Sequence, residues 1–455
     1  MKLPRHLWRL GALGLLWIAL TLPAPAEDAV AHVVAYARAH PAGDVPASFR
    51  ADDYRGDLRD LPIGVFDSGI GGLTVLEAIK SYDAHNNRTG ADGPDGIPDF
   101  ANERFIYLGD QANMPYGNYP AAGRLDFLRE LVLRDLLFLL GRNYARITPQ
   151  GLATRSDKPP VKAIVIACNT ATAVGLADVR QALKTWGVPI YVIGVIEAGA
   201  HATVTDGHTG GIAVFSTVAT CASEAYPRAI HQAEEEKHLP VRPVYQQGSP
   251  TLAAAIEGDP AIHQAPGEIV RSEFKEFLAK YRATGGRGPI DTLVLGCTHY
   301  PLVRQEFSQV WAEEAGRQTG AAPGLLATQV TIIDPAERTA SELWRLLTGQ
   351  KLWSTKTAAP ADRYFITVAN PRAPGIRLDA EGGLAAAYKY SRAPGQPERE
   401  DTAVVPMEAN MLPSTGAALI RDHLPLTWAG IQHQWEIPGG PAGVINPPPD
   451  RAATR

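Results

Sequence analysis

Cysteine is scarce in this chain: Cys168, Cys221 and Cys297 are the only three among 455 residues. So few cannot build a disulfide framework, and an odd number outside the cytoplasm leaves at least one thiol free. Positive charge is not in excess either. The formal net charge is −5, the isoelectric point is near 6.2, and no basic patch is interleaved with aromatics, so no nucleic-acid partner is expected. Long apolar runs are also missing. The run Leu10 to Leu22 is shorter than the roughly 20 residues that cross a bilayer as a helix, and no later run reaches that length, so no stable membrane span is expected. What remains, 45% hydrophobic and 20% charged residues, is a globular chain long enough for two or three domains.

The first residues read as an address. Lys2, Arg5 and Arg9 precede the apolar run, and Ala24-Pro25-Ala26 ends it in an A-x-A pattern. Residues 1–26 are therefore expected to be a signal peptide cleaved near Ala26, leaving an exported protein, periplasmic or secreted. No Cys follows the run to accept a lipid.

After a polar lead at 27–60, strand-like and helix-like segments alternate. Strands are expected at Ile63–Phe66, Phe105–Leu108, Ala163–Ala167, Ile190–Ile193, Ile212–Phe215, Thr292–Leu295 and Val330–Ile333. Helices are expected at Arg124–Leu140, Thr172–Trp186, Val218–Gln232, Glu268–Tyr281 and Glu337–Leu347. Such alternation argues for parallel sheets flanked by helices. An insert at 83–103 is dense in Asp, Asn, Gly and Pro, and its Asp92, Asp95 and Asp99 raise a calcium site, although no EF-hand register is present. Beyond residue 393 Pro and Gly recur and break any long periodicity.

Two of the cysteines sit in matched settings. Ala163-Ile164-Val165-Ile166 leads into Ala167-Cys168-Asn169-Thr170, and Thr292-Leu293-Val294-Leu295 leads into Gly296-Cys297-Thr298-His299. Each thiol thus falls where a buried strand gives way to a loop, the end of an open α/β sheet at which ligands bind. An isolated Cys usually behaves as a small hydrophobe; a matched pair suggests two acid/base groups. The first strand ends in Asp67-Ser68-Gly69-Ile70-Gly71-Gly72, a turn whose glycines let backbone approach a ligand. Thr74 stands where a dinucleotide fingerprint needs Gly.

Taken together, Asp67-Ser68-Gly-x-Gly-Gly-Leu-Thr-Val, Gly109-Asp110 with Pro115-Tyr116-Gly117, Ala167-Cys168-Asn169-Thr170-Ala171 and Gly296-Cys297-Thr298-His299-Tyr300-Pro301-Leu302 resemble glutamate racemase, in the same order. The resemblance covers roughly 61–350 and reaches neither the signal peptide, the Asp-rich insert nor the far tail. It implies an α/β protein of two pseudo-symmetric three-layer domains with mainly parallel sheets and an active site in the interdomain cleft. On that plan domain A is 61–195 plus 320–392, domain B is 196–319, and 393–455 is a C-terminal extension. The resemblance further implies a racemase that uses no cofactor and no metal. Cys168 and Cys297 are its two acid/base thiols, Asp67 the carboxylate near the first and His299 the assisting group near the second. Ser68, Pro115, Tyr116, Gly117, Asn169, Thr170, Thr217, Thr220, Thr298 and Glu257 are its substrate-binding residues. Ser216 replaces the Gly of a Gly-Thr-x-x-Thr motif, which puts backbone approach there in doubt. Cys221 has no motif partner and is read as packing. Asp110 is read as a brace for the Pro115-Tyr116-Gly117 loop.

The expected activity is interconversion of L- and D-glutamate by two-thiol proton transfer at Cα. The alternatives are an exported amino-acid-binding protein without turnover and a related Cys-dependent aspartate racemase or isomerase. The expected partner is a free acidic amino acid, glutamate or aspartate. Family members often form homodimers, which leaves the oligomeric state open. D-Glutamate for cell-wall peptidoglycan precursors is needed in the cytoplasm, so an exported enzyme implies supply or recovery of D-amino acids outside.

Overall fold

The computed structural model describes residues 29–436 apart from 205–208, 260, 287, 318–323, 358–360 and 413; the expected signal peptide at 1–26 lies outside the described residues. Twelve strands occur among them: β1 (Ile63–Asp67), β2 (Phe105–Gly109), β3 (Tyr144–Thr148), β4 (Gly151–Arg155), β5 (Ala163–Ile166), β6 (Tyr191–Gly194), β7 (Gly211–Thr217), β8 (Val244–Ser249), β9 (Ile290–Gly296), β10 (Leu326–Ile333), β11 (Arg363–Ala369) and β12 (Thr402–Pro406). Six form one sheet in the order β12-β11-β2-β1-β5-β6, four form a second in the order β10-β9-β7-β8, and β3 and β4 make a separate hairpin. Pairing is parallel within both sheets except where β12 runs against β11.

Every residue of β1, β2 and β5 is buried, as a sheet covered by helices on both faces requires. Alternate side chains sort to opposite faces. Phe66, Leu108 and Ile166 join the core under helices Leu125–Leu140 and Asn169–Trp186. Val65, Tyr107 and Val165 join the one under helices Leu73–Ser81 and Pro335–Gln350. The second sheet repeats the scheme. Phe215 and Leu295 pack with Phe274, Phe307 and Trp311 on one side, and Val214 and Val294 pack with Tyr226 and Ile230 on the other.

The two sheets share a local plan. Cys168 follows β5, whose neighbour β1 ends in Asp67-Ser68, and Cys297 follows β9, whose neighbour β7 ends in Ser216-Thr217. Each thiol therefore has a polar pair beside it on the adjacent strand end.

Several expectations need correcting. Strand β10 pairs with β9 and buries Leu326 in the second core, so 326–333 belongs to domain B and not to a returning part of domain A. The described part of the C-terminal extension, within 393–436, is not separate: β12 completes the edge of the first sheet, and Ile420, Leu424 and Ile431 enter its core. The 27–60 lead contains helix Ala29–Ala39, whose Val33 and Ala37 pack under helix Leu125–Leu140. The Val218–Gln232 helix breaks at Glu224, with φ of 54°, into Val218–Ala222 and Ala225–Glu236. Strand β8 escaped notice because Gln246 and Gln247 interrupt its apolar pattern.

The Asp-rich insert holds itself together. Asp99 Oδ2 lies 2.6 Å from His85 Nδ1, Asp95 Oδ2 accepts from the Asn87 N–H at 2.8 Å, and Asp83 accepts from the N–H groups of Asp95 and Gly96. Asp92 is exposed, 3.7 Å from His85 Nε2. The carboxylates raised as calcium ligands thus have separate employments, and no group of three metal-ligating side chains occurs among the described residues. No helix of the described residues is long and apolar enough to cross a membrane.

One buried ion pair ties distant segments to the first sheet. Lys162 Nζ lies 2.6 Å from Glu103 Oε2 and donates to the carbonyls of Arg59 and Leu352. Burial pushes the lysine down and the glutamate up, and each opposes the other's shift. Lys162→Ala should strand Glu103 as an uncompensated buried charge and destabilise the protein by about 3–5 kcal/mol. Denaturant unfolding checks this, and K162M/E103Q should regain much of the loss.

Candidate active site

Both matched cysteines are buried and unpaired, and both line one small cavity between the carboxyl ends of the two sheets. Ser68, Pro115, Tyr116, Gly117, Asn169, Thr170, Thr217, Thr298 and His299 line it with them. Its volume is about 30 Å³, room for one or two waters. The lobes are therefore closed upon each other.

Cys168 caps helix Asn169–Trp186: its Sγ accepts from the Ala171 N–H at 3.4 Å. It also donates to Ser68 Oγ at 3.7 Å. Burial, reinforced by the negative charge of Asp67, pushes this thiol well above its ordinary range. Asp67 is fully buried. Its Oδ2 accepts from the N–H groups of Gly69 and Gly72, both at 3.0 Å, while Oδ1 has no partner among the described residues. Burial raises this carboxyl too, against the pull of His299 and the two N–H groups. Asp67 does not itself reach the cavity surface.

The other side is built differently. Cys297 Sγ lies 3.6 Å from His299 Nδ1, and His299 Nε2 lies 2.7 Å from Glu257 Oε1. Burial works against a charge on this imidazole, but hydrogen bonds to Cys297 and Glu257 and their negative charges outweigh it, so the ring is raised well above its usual range. Space for the ring comes from Gly71, where a Cβ would lie 2.3 Å from a His299 ring carbon. Glu257 Oε2 accepts from Gln111 Nε2 at 3.1 Å, and the Glu257 carbonyl accepts from the Thr415 hydroxyl at 2.8 Å.

Hydrogen bonds stitch the lobes together around the cavity. The hydroxyls of Thr170, Thr217 and Thr220 form a triangle with sides of 3.0–3.2 Å. Tyr226 donates to Asn169 Oδ1 at 2.6 Å, and Thr74 donates to the Thr298 carbonyl at 3.0 Å.

Two expected substrate ligands do not line the cavity. Thr220 is fully buried and spends its hydroxyl on Thr170 and Thr217, and Glu257 stands behind His299. Ser216 turns its hydroxyl to the Gly296 carbonyl at 2.9 Å, so the position usually held by Gly braces the strand beneath Cys297. Asp110 accepts from Tyr116 Oη at 2.5 Å and from Asn113 and Thr367, holding the Pro115–Gly117 loop from behind. Cys221 lies away from the cavity. Sequence reasoning missed Gln111, Met114 and Tyr226. Met114, the neighbour of Pro115, lines the cavity and was within reach of a motif reading; Gln111 and Tyr226 act across the lobes and carried no local signal.

With this geometry in place, comparison with known proteins is direct. Residues 143–343 match the sequence model of the Asp/Glu/Hydantoin racemase family. The glutamate racemase of Pediococcus pentosaceus is 34% identical over 310 residues, spanning 68% of this chain and 90% of that protein. That of Neisseria meningitidis serogroup A is 34% identical over 309 residues, spanning 68% and 88%. A solved glutamate racemase isoform from Bacillus anthracis is similar at 30% identity with a TM-score of 0.47, covering 68% of this chain and 89% of that one.

If the Glu257 carboxylate helps hold the proton on His299, its removal must lower the pH at which that ring titrates. In Glu257→Gln the His299 ring signals, followed by NMR in histidine-labelled protein, should titrate at lower pH than in the parent. An unchanged titration would show that Cys297 alone sustains the shift.

Proposed function

The chain belongs to the glutamate racemase family, and on that premise we propose that it interconverts L- and D-glutamate by proton transfer between Cys168 and Cys297 through Cα. The observation that supports this most is the shared cavity: two buried thiols from two sheets reach it from opposite lobes. Inversion at carbon needs a base on one face and an acid on the other, and the reverse reaction exchanges their roles.

The partners of the two thiols set different resting states. An imidazolium at His299 is the partner that stabilises a thiolate at Cys297. Cys168 has no cation, and burial together with Asp67 keeps it protonated. With Cys168 held protonated, it is the acid and Cys297 the base in the direction of reaction that starts from this state. Turnover leaves a thiolate at Cys168, and a neutral Asp67, favoured by its burial, is the form that tolerates it. Ser68, Asn169, Thr170, Thr217 and Thr298 offer hydroxyl and amide groups to the carboxylates and ammonium of the substrate. Glutamate exceeds the closed cavity, so entry requires the lobes to part at the Thr170–Thr217, Asn169–Tyr226 and Gln111–Glu257 contacts.

The leading residues 1–26 support a place outside the cytoplasm, where the activity supplies or recovers D-glutamate rather than feeding wall precursors. N-terminal sequencing of the protein from its native host should find Glu27 first; an intact residue 2 would end this part of the reading.

Cys168→Ala and Cys297→Ala should each abolish racemisation, a loss of at least about 10²–10⁴-fold, while binding glutamate with little change. Deuterium incorporation at Cα with chiral analysis, starting from each enantiomer, is the direct test. Inversion with exchange from both is expected of the parent protein. Glutamate binding without exchange would instead identify a binding protein, and full activity in either variant would sink the two-thiol mechanism.

A further inference from the structure

Behind the catalytic cleft one phenol faces two carboxyl groups. Tyr116 lines the cleft, and its Oη lies 2.5 Å from Asp110 Oδ2 and 2.8 Å from Asp135 Oδ2, with all three residues buried. A phenol has one proton to donate, and an ionised carboxyl group can only accept. Were both groups ionised, one of these contacts would set two oxygens against each other with no proton between them. One of the two carboxyl groups therefore carries a proton and donates it to the phenol oxygen.

The surroundings decide which. Asp110 is built as the anion: its oxygens also accept from the Asn113 amide, at 2.8 and 3.0 Å, and from the Thr367 hydroxyl at 2.7 Å. Thr367 in turn accepts from the Ala112 N–H, and Arg392 stands close by, bonded to the Asn113 amide oxygen. Asp135 has no such company. Tyr116 is its one side-chain partner among the described residues. The guanidinium of Arg134, its chain neighbour, is spent on Glu130 and on the carbonyls of Gln396 and Arg399. Those of Arg372 and Arg399, which line the same cavity as Asp135, are spent on the Gln150 carbonyl and on Asp401. Burial and the charge of Asp110 push the Asp135 carboxyl well above its ordinary range. The two distances agree: 2.5 Å suits a phenol bonded to a carboxylate, and 2.8 Å a bond between neutral oxygens.

We propose that Asp135 is a positioning residue of the cleft: it donates a proton to Tyr116 Oη, Tyr116 donates to Asp110, and this chain of bonds holds the Pro115–Tyr116–Gly117 loop against the second lobe. The loop is where the lobes meet. Pro115, Tyr116 and Gly117 all line the catalytic cavity, and a Cβ at Gly117 would lie 3.3 Å from the Cβ of Thr217, at the strand end of the other sheet. Without the donor at Asp135 the phenol keeps only Asp110, and the cost of ordering the loop falls on substrate binding. Where the proton sits does not depend on the racemase reading; the effect on glutamate rests on it.

Infrared difference spectroscopy of the protein grown with carboxyl-labelled aspartate places the proton. At neutral pH the parent should show a protonated-carboxyl band that Asp135→Asn lacks. Asp67, itself favoured neutral by burial, contributes to both spectra and cancels. The amide of that variant can still donate to the phenol oxygen. The N–H groups of Asn118 and Tyr119, which bond to the Pro115 and Tyr116 carbonyls, should therefore exchange with solvent at the parental rate in it, and KM for glutamate should be unchanged. Asp135→Leu, of similar volume and without a donor, should speed that exchange and raise KM, each about tenfold, the worth of one buried hydrogen bond, with kcat moving less. A band that persists in D135N puts the proton on Asp110 and overturns the proposal, as does loop exchange or KM in D135L equal to the parent's. Should D135L not fold, Asp135→Ala takes its place. If the parent does not racemise glutamate while band and exchange behave as expected, the racemase reading falls and the placement of the proton and loop stands.

Discussion

The contact between His299 and Glu257, 2.7 Å long and buried, is the constraint around which much of this site is arranged. Burying a charged pair is costly unless geometry and further hydrogen bonds compensate. Each neighbour answers that demand. Gly71 has no side chain because the imidazole occupies the place of its Cβ. Gln111 crosses from the first lobe to satisfy the second carboxylate oxygen, and Thr415 reaches from the C-terminal segment to the Glu257 carbonyl. Leu419 and Leu424 of that segment, with Ile70, Ile256 and Leu302, close the apolar cover over the pair. The C-terminal segment, which has no catalytic motif, is thereby part of what holds the His299–Glu257 pair in place beside Cys297.

The asymmetry between the two thiols follows from this arrangement. Their strands are related by a repeated plan, but their electrostatic surroundings are not. One side carries an imidazole–carboxylate pair, the other a carboxyl and a hydroxyl. A reversible proton transfer does not need identical groups; it needs each to be tolerable in both protonation states. At Cys297 the compensation is charge, and at Cys168 it is the option of a neutral Asp67.

Much of this was legible in the sequence, for definite reasons. Parallel strands buried on both faces leave short, β-branched apolar runs, so β1, β5 and β9 and the polar residues at their ends were visible locally. The residues that line the cavity mostly lie within a few positions of those ends. Gln111, Tyr226 and Thr415 did not announce themselves because each acts on a partner far away in the chain. Thr220 and Glu257 enter as substrate ligands through the family resemblance, and likeness of motif shows which residues gather at a site, not which of them stand one layer back. The sequence plan puts β10 in domain A and shows no strand at β12 for a related reason: Pro- and Gly-rich connections conceal where a chain crosses between lobes, and only pairing with β9 and β11 reveals it.

The closed cavity has a consequence for the lifetime of the protein as well as for its chemistry. A thiol is oxidised at a rate set by how much of the time an oxidant can touch it. With about 30 Å³ between the lobes, dissolved peroxide has little room beside Cys168 or Cys297 until the Thr170–Thr217 and Asn169–Tyr226 contacts separate. The parting of the lobes that admits the amino acid therefore also meters exposure to damage, and a bound ligand that holds the lobes shut acts as a chemical shield. In an oxidising compartment, such shelter lets reduced thiols persist without a reductant dedicated to them.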